Sequence, residues 1–186
     1  SMAVTFDTSS ADVIVDSSYD PDKSITSRQL DGPKPADVDD LSFGPFDLKK
    51  VAVSSSSHNS ARIGLAFPSI SSASSANSFT NVLSSHLDQN VYQFTLGDKH
   101  GSLNVGTIDR SLFFGNISWN AVNPAQGYWT TPFTWNGLSF HGTVDSTASV
   151  ILGNVADVKR VLMSMEGVRV TKSVDGSYIG LFDCDK

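Results

Sequence analysis

One pattern stands near both ends of this chain. Phe6-Asp7-Thr8-Ser9-Ser10-Ala11 lies between the apolar segments Val4-Thr5-Phe6 and Val13-Ile14-Val15. Val144-Asp145-Ser146-Thr147-Ala148-Ser149 is followed by Val150-Ile151-Leu152-Gly153. Each places an Asp and its hydroxyl neighbours on a strand-turn-strand. Two such Asp meeting on a two-fold axis would share one proton, because adjacent carboxylates do not both ionise cheaply. One then acts as base and the other as acid, which is what activating a water against a peptide carbonyl requires. Asp-Thr and Asp-Ser are also ordinary turn residues. With 18 Asp and 30 Ser in 186 residues, a plain turn reading stands beside the catalytic one.

The text between the motifs reads as mainly β. One Glu against 18 Asp, with abundant Ser, Val and Phe, favours strands and turns over long helices. Residues 16–40 hold seven Asp with Pro21, Gly32, Pro33 and Pro35, and are expected to form a flexible polar loop. Residues 41–53 suit one or two strands broken at Gly44-Pro45, with a low-complexity tip at Ser54 to Ser57. Ile63-Gly64-Leu65-Ala66-Phe67, ended by Pro68, suits a buried central strand. Phe79, Val82, Leu83, His86 and Leu87 share one helical face, which predicts a helix near 77–88. A hairpin is expected over 91–105, turning at Gly97-Asp98-Lys99-His100-Gly101. Aromatic-rich strands are expected around Trp119, Tyr128-Trp129, Phe133 to Trp135 and Leu138 to Phe140. Asn154 and Asp157 read as a cap pair for a second helix near 155–165, with Val155, Val158, Leu162 and Met165 inward. A last hairpin is expected over 168–182, turning at Ser173-Val174-Asp175-Gly176.

In this setting the chain resembles the pepsin-like aspartic peptidases. Asp7-Thr8-Ser9-Ser10 is similar to that family's first Asp-Thr-Gly-Ser motif, and Asp145-Ser146-Thr147-Ala148-Ser149 to its second. Ile63-Gly64-Leu65-Ala66-Phe67-Pro68-Ser69-Ile70-Ser71 resembles the family's apolar run ending in Pro-Ser-Ile-Ser. Phe94-Thr95-Leu96, Gly101 to Asp109, Gly115 to Trp119 and Tyr128-Trp129 follow in the family's order. The resemblance implies an acid-protease architecture, bilobal but truncated, with two short helices. It implies an N-terminal lobe remnant over 3–88 and the first part of a C-terminal lobe over 89–186. Asp7 and Asp145 would be the dyad, supported by Thr8, Ser9, Ser10, Ser146, Thr147 and Ser149.

The sequence departs from the family at telling places. Ser9 and Thr147 stand where the family has Gly, which leaves room for the catalytic water. A hydroxyl there is expected to crowd that water or to bond the Asp itself. Ala148 replaces a usual hydroxyl. Tyr19, the one Tyr between Val15 and Ile63, lies too early for the family's lid hairpin. Strands before the first motif and the second half of the C-terminal lobe have no counterpart in the sequence. Unpaired sheet edges or the single Cys184 are then expected to allow a homodimer. The resulting expectation is a degenerate family member with little or no proteolysis that binds a peptide or protein in a residual cleft. The alternative is an active acid endopeptidase, completed by dimerisation.

Other classes are set aside. The net charge of −6 makes nucleic acid or an anionic membrane a poor partner. No apolar run approaches the roughly 18 residues of a membrane span. His58, His86, His100 and His141 are scattered, so neither a metal nor a cofactor is expected, and no nucleophile elbow occurs. Asn116-Ile117-Ser118 is a glycosylation sequon, in keeping with a secreted protein. Trp119, Trp129 and Trp135, with Phe113, Phe114, Phe133 and Phe140, read as sheet core. Exposed Trp would instead suggest a lectin-like groove.

Overall fold

The computed structural model describes residues 2–31, 36–56, 60–97 and 100–183. The expectations for Gly32, Pro33, Pro35, Ser57, His58, Asp98, Lys99 and Cys184 lie outside the described residues. In chain order the elements are β1 (Val4–Asp7), β2 (Val13–Val15), β3 (Arg28–Gln29), β4 (Asp37–Phe43), β5 (Phe46–Ser55) and β6 (Ala61–Gly64). Helix α1 (Phe79–Ser84) follows, then β7 (Tyr92–Thr95), β8 (Ser102–Val105), β9 (Thr130–Trp135) and β10 (Leu138–Thr143). The chain ends with α2 (Val155–Met163), β11 (Arg169–Lys172) and β12 (Tyr178–Leu181).

Two compact units result. The first holds the residues up to Trp129 together with Thr143–Thr147; the second holds Thr130–Gly142 and the residues from Ala148 onward. The lobe boundary expected near residue 88 thus falls inside the first unit.

The first unit is built on a six-stranded sheet of order β1-β6-β2-β5-β4-β3. β6 lies between β1 and β2, parallel to β1 and antiparallel to β2. The turn carrying Asp7 therefore joins two strands that do not pair with each other. This placement follows from burial: β6 and its continuation supply Ala61, Ile63, Leu65 and Ala66, all buried, and only an inner position covers both faces. β4 and β5 pair as a hairpin across Gly44-Pro45, with Gly44 at φ +55°. The core contains Val13, Val15, Leu48, Val51, Val53, Ile63, Leu65, Phe79 and Leu83. Phe43 bridges Phe6 and Phe79 edge-to-face, at 5.9 and 5.3 Å between ring centres.

Several expectations are corrected here. The segment 16–40 is not all loop: it carries a 3-10 turn at Pro21–Lys23, the short β3 and the first four residues of β4. α1 stops at Ser84, short of residue 88. The Ser84 and Ser85 hydroxyls donate to the carbonyls of Asn81 and Val82, a local alternative to helix continuation.

The second unit holds the β9–β10 and β11–β12 hairpins and α2, which packs on β11 and β12. The Asn154 side chain accepts the Asp157 N–H at 3.0 Å, the cap read from sequence. Val158, Leu162 and Met165 are half-buried as expected, but Val155 is exposed, because it sits at the first helical position on the solvent side. Every fully buried apolar side chain among the described residues lies between Ala11 and Leu83. The aromatic core expected farther along is therefore corrected. Phe114, Trp119, Phe133 and Trp135 are exposed, and no strand forms around Trp119.

Candidate functional site

Asp7 ends β1 and is fully buried. Its carbonyl accepts the Leu65 N–H at 2.7 Å. The turn after it is braced by Gly64 N–H to Asp12 O at 3.0 Å and Ala66 N–H to Ser10 O at 2.8 Å. Only glycine fits at 64: a Cβ there would lie 2.5 Å from the Ser10 carbonyl oxygen. Ser10 serves the turn itself, its hydroxyl accepting the Asp12 N–H at 3.2 Å.

Both carboxylate oxygens of Asp7 meet donors from the fold. Oδ1 accepts the Ser9 N–H at 2.8 Å and the Ser9 hydroxyl at 2.6 Å. Oδ2 accepts from Arg62 Nη1 at 2.9 Å, an ion pair with a half-exposed guanidinium. Arg62 lies in the middle of β6, beside Thr5 of β1 and Ile14 of β2.

Asp145 repeats the pattern. Its Oδ1 accepts the Thr147 N–H at 2.8 Å and the Thr147 hydroxyl at 2.7 Å. The hydroxyls that replace the family's glycines thus bond the two Asp directly, as the sequence led one to expect. Asp145 and Ser146 are half-buried, Thr147 is exposed, and Ser149 is exposed in the second unit.

The two motifs are locked together through their next residues. Thr8 Oγ1 donates to the Val144 carbonyl at 2.7 Å and accepts the Ser146 N–H at 2.9 Å. Ser146 Oγ donates to the Phe6 carbonyl at 2.7 Å and accepts the Thr8 N–H at 3.1 Å. Each hydroxyl does for the other motif what the other does for it, which is a local two-fold relation.

Trp129 closes a ring around this bracket. Its indole N–H donates to Leu65 O at 2.8 Å, and its own carbonyl accepts the Val144 N–H at 3.1 Å. Its ring lies 4.3 Å from that of Phe67. Leu65, Trp129, Val144 and Thr8 are thereby joined in series to Asp7.

Sequence reasoning missed Arg62 and the positioning part of Trp129. The signal for Arg62 was a lone charge immediately before an apolar run, where strand alternation turns it away from buried Ile63.

The Asp-x-Ser/Thr geometry is not unique to the candidate dyad. Asp16, Asp109 and Asp175 each accept the N–H and the hydroxyl of the Ser two residues on. The Ser hydroxyl, then the N–H, holds each of these exposed carboxyls below its ordinary range. The short Asp side chain reaches its neighbour's N–H in a turn, which accounts for Asp outnumbering Glu. Burial, the Arg62 partner and the Thr8–Ser146 bracket are what set Asp7 apart.

A second buried carboxylate, Asp39 of β4, has another role. It accepts from Tyr19 Oη and Ser24 Oγ, both at 3.0 Å, from the Thr26 hydroxyl, and from the Asp40 N–H at 2.8 Å. Burial pushes this carboxyl up. The bonds from Thr26, Ser24, Asp40 and Tyr19 pull it down further, and the net displacement is downward. Asp39 thereby ties the Tyr19–Thr26 segment to the sheet. Among the described residues no three His, Cys, Asp or Glu side chains cluster so as to hold a metal ion.

Comparison with known proteins agrees with this geometry. Residues 34–186 match the eukaryotic aspartyl protease family. Secreted aspartyl protease 1 of Malassezia globosa is 32% identical over 207 aligned residues, covering 98% of this chain and 52% of that protein. A probable inactive secreted aspartyl protease of the same fungus is 33% identical over 53% of the chain and 26% of its own length. Aspergillopepsin-1 of Aspergillus clavatus is 32% identical over 59% of the chain and 27% of its own length. The chain thus spans about half the length of the first of these relatives and less of the others. The secreted location expected from sequence accords with the two Malassezia relatives, and no described helix is long and apolar enough to cross a membrane. The mainly β chain, its paired Asp-hydroxyl motifs and the match over most of its length make it a member of the eukaryotic aspartyl protease family.

Proposed function

We propose that this chain is a degenerate aspartic peptidase homologue with little or no proteolysis, acting by binding a peptide or protein. The observation that carries this reading is the occupancy of Asp7. Both its oxygens already hold donors, two from Ser9 and one from Arg62, and Thr147 donates its N–H and its hydroxyl to Oδ1 of Asp145. An attacking water must be bonded by both carboxylates at once, and the hydroxyls compete for those lone pairs. Precise support is what such a site needs, and here the supporting groups bond the Asp themselves.

The intact Thr8–Ser146 bracket favours a second reading, an acid endopeptidase with an atypical motif. Asn116 is exposed and suits a glycan acceptor in either case.

Cleavage of a denatured protein substrate between pH 2.5 and 6, with and without a statine-type transition-state mimic, separates the two. We expect no mimic-sensitive cleavage from the folded chain. Cleavage that the mimic blocks and Asp7→Asn abolishes would sink the binding reading. The triple variant Ser9→Gly, Thr147→Gly, Arg62→Met then asks whether those three side chains are what suppress turnover, with a gain of at least tenfold expected.

A further inference from the structure

Asp7 is fully buried, and the charged group on it that reaches solvent is a cation. The Arg62 side chain bonded to Oδ2 is 44% exposed, against 0% for the Asp7 side chain. Ser9 fills Oδ1 with two donors. A ligand approaching the first motif therefore meets a guanidinium before it meets a carboxylate.

That guanidinium is held in place and still has donors to give. Nη1 is spent on Asp7, and among the described residues no acceptor takes the other N–H groups. Nε–H and the Nη2–H beside it form the side-on fork that matches the two oxygens of a carboxylate. The ion pair with a buried Asp fixes the orientation of the fork, so little side-chain freedom is lost when a ligand binds. Thr5 of β1 and Ile14 of β2 flank Arg62 across the sheet, and Ser54 of β5 lies opposite Ile14. All three are uncharged. Asp12, the other acid near these strands, accepts the Ser71 hydroxyl at 3.0 Å and the Ser72 N–H at 2.8 Å. Residues 2–15 and 51–64 contain no other Lys or Arg.

We propose that Arg62 is the specificity-determining residue of this site, selecting a peptide that presents an Asp or Glu side chain to the free Nε–Nη2 edge. This specificity presupposes the binding reading above and gives the ligand its chemistry. A ligand carboxylate on that edge lies about 3 Å from the cation. Asp7 is bonded at Nη1, off that edge, and Coulomb interactions weaken with distance, so the nearer cation outweighs Asp7. A Lys or Arg side chain in the same place meets like charge.

The test pans a phage-displayed library of random peptides on the whole chain at pH 7, where Asp and Glu are ionised. We expect the bound peptides to be enriched in Asp and Glu over Lys and Arg at least fivefold, against the net charge of −6. The double variant Asp7→Asn, Arg62→Met leaves no unpaired buried charge and should lose that enrichment. Arg28→Met removes an exposed Arg on β3 and makes the chain more acidic, yet should keep it. One enriched peptide is then compared with its Glu→Gln or Asp→Asn counterpart by fluorescence anisotropy. The neutral counterpart should bind the unmutated chain at least fivefold more weakly and the double variant equally well. If circular dichroism shows that the double variant does not fold, Arg62→Lys carries the comparison, because it keeps the charge without the fork; the ratio should at least halve. Bound peptides with no acidic bias, a bias that the double variant keeps, or one that Arg28→Met loses would each overturn the specificity while the binding reading stands. A folded chain that retains no peptide above the bare support would instead remove the binding reading, and the specificity with it.

Discussion

The first and second Asp motifs begin alike and end differently. In both, the Asp caps the backbone two residues on and receives that residue's hydroxyl, and the hydroxyl between crosses to the opposite motif. Beyond that point the first motif is embedded. β6 threads between its flanking strands, Gly64 lets two backbones touch, and Arg62 reaches the carboxylate. The second motif has its half of the bracket but leads into an exposed aliphatic run. The contrast separates what the short motif supplies from what the surrounding sheet supplies. Local turn chemistry makes an Asp-hydroxyl pair anywhere, as Asp16, Asp109 and Asp175 illustrate. Only insertion of a strand buries it and gives it a charged partner.

The strongest way to break the contrast is at the glycines. Gly64→Ala puts a methyl against the Ser10 carbonyl, where no side chain can yield. We expect a loss of about 3 kcal/mol or more, or failure of the first unit to fold. Gly153→Ala after the second motif meets only a Val158 methyl group at 3.2 Å, and a change of about 1 kcal/mol or less is expected. Urea unfolding of both variants checks the difference. Equal costs would mean that the first motif is no more tightly packed than the second.

A smaller effect is expected at Asp39, whose bonds are made only within the first unit. Asp39→Ala removes the carboxylate that accepts from Tyr19, Ser24 and Thr26, at a cost of roughly 2–3 kcal/mol at pH 7. The effect has a sign in pH. Because the folded carboxyl lies below its unfolded value, its contribution is complete above the unfolded pKa of about 3.9. It declines as pH falls from there through the lower folded value. The gap between wild type and Asp39→Asn should therefore narrow between pH 5 and pH 2. A gap that widens instead would contradict the assignment of an ionised, hydrogen-bonded Asp39.

The finest test sharpens the two-fold relation itself. Thr8→Val and Ser146→Ala each remove one hydroxyl that both donates and accepts across the bracket. Each should cost about 1–2 kcal/mol. The double variant should cost less than their sum by at least about 0.5 kcal/mol, since the two share partners. Strict additivity would mean that the hydroxyls act independently and the bracket is not a unit.

Much of this was legible in the chain because it is local. Alternation over 41–53 located the end of β4 and most of β5. The apolar run from Ile63 marked the buried end of β6, though that strand lies earlier than expected, at Ala61–Gly64. The Asn154–Asp157 pair marked the start of α2. The replacement of two glycines by Ser9 and Thr147 announced hydroxyls on the Asp carboxylates, since a residue two positions on has nowhere else to reach in a tight turn. Less legible was anything that depends on what lies across the sheet. Asp37 to Asp40 look like loop because three Asp in four residues hide a strand. They enter β4 because Asp39 finds its donors on a segment many residues earlier. Trp119 and Phe133 look like core, since aromatic composition does not say whether a second layer is present to cover it.

The sequence by itself determined the family, the strand-rich class, the two repeated Asp motifs and the hydroxyls that cap their Asp. These rest on residue type and short spacing. The tertiary structure alone decided that β6 passes between β1 and β2, that Arg62 thereby meets Asp7, and that Trp129 joins Leu65 to Val144. Those contacts join positions far apart in the chain. Which of them form is settled by how the apolar strand faces can be buried together, a condition on the whole sheet that no local pattern carries.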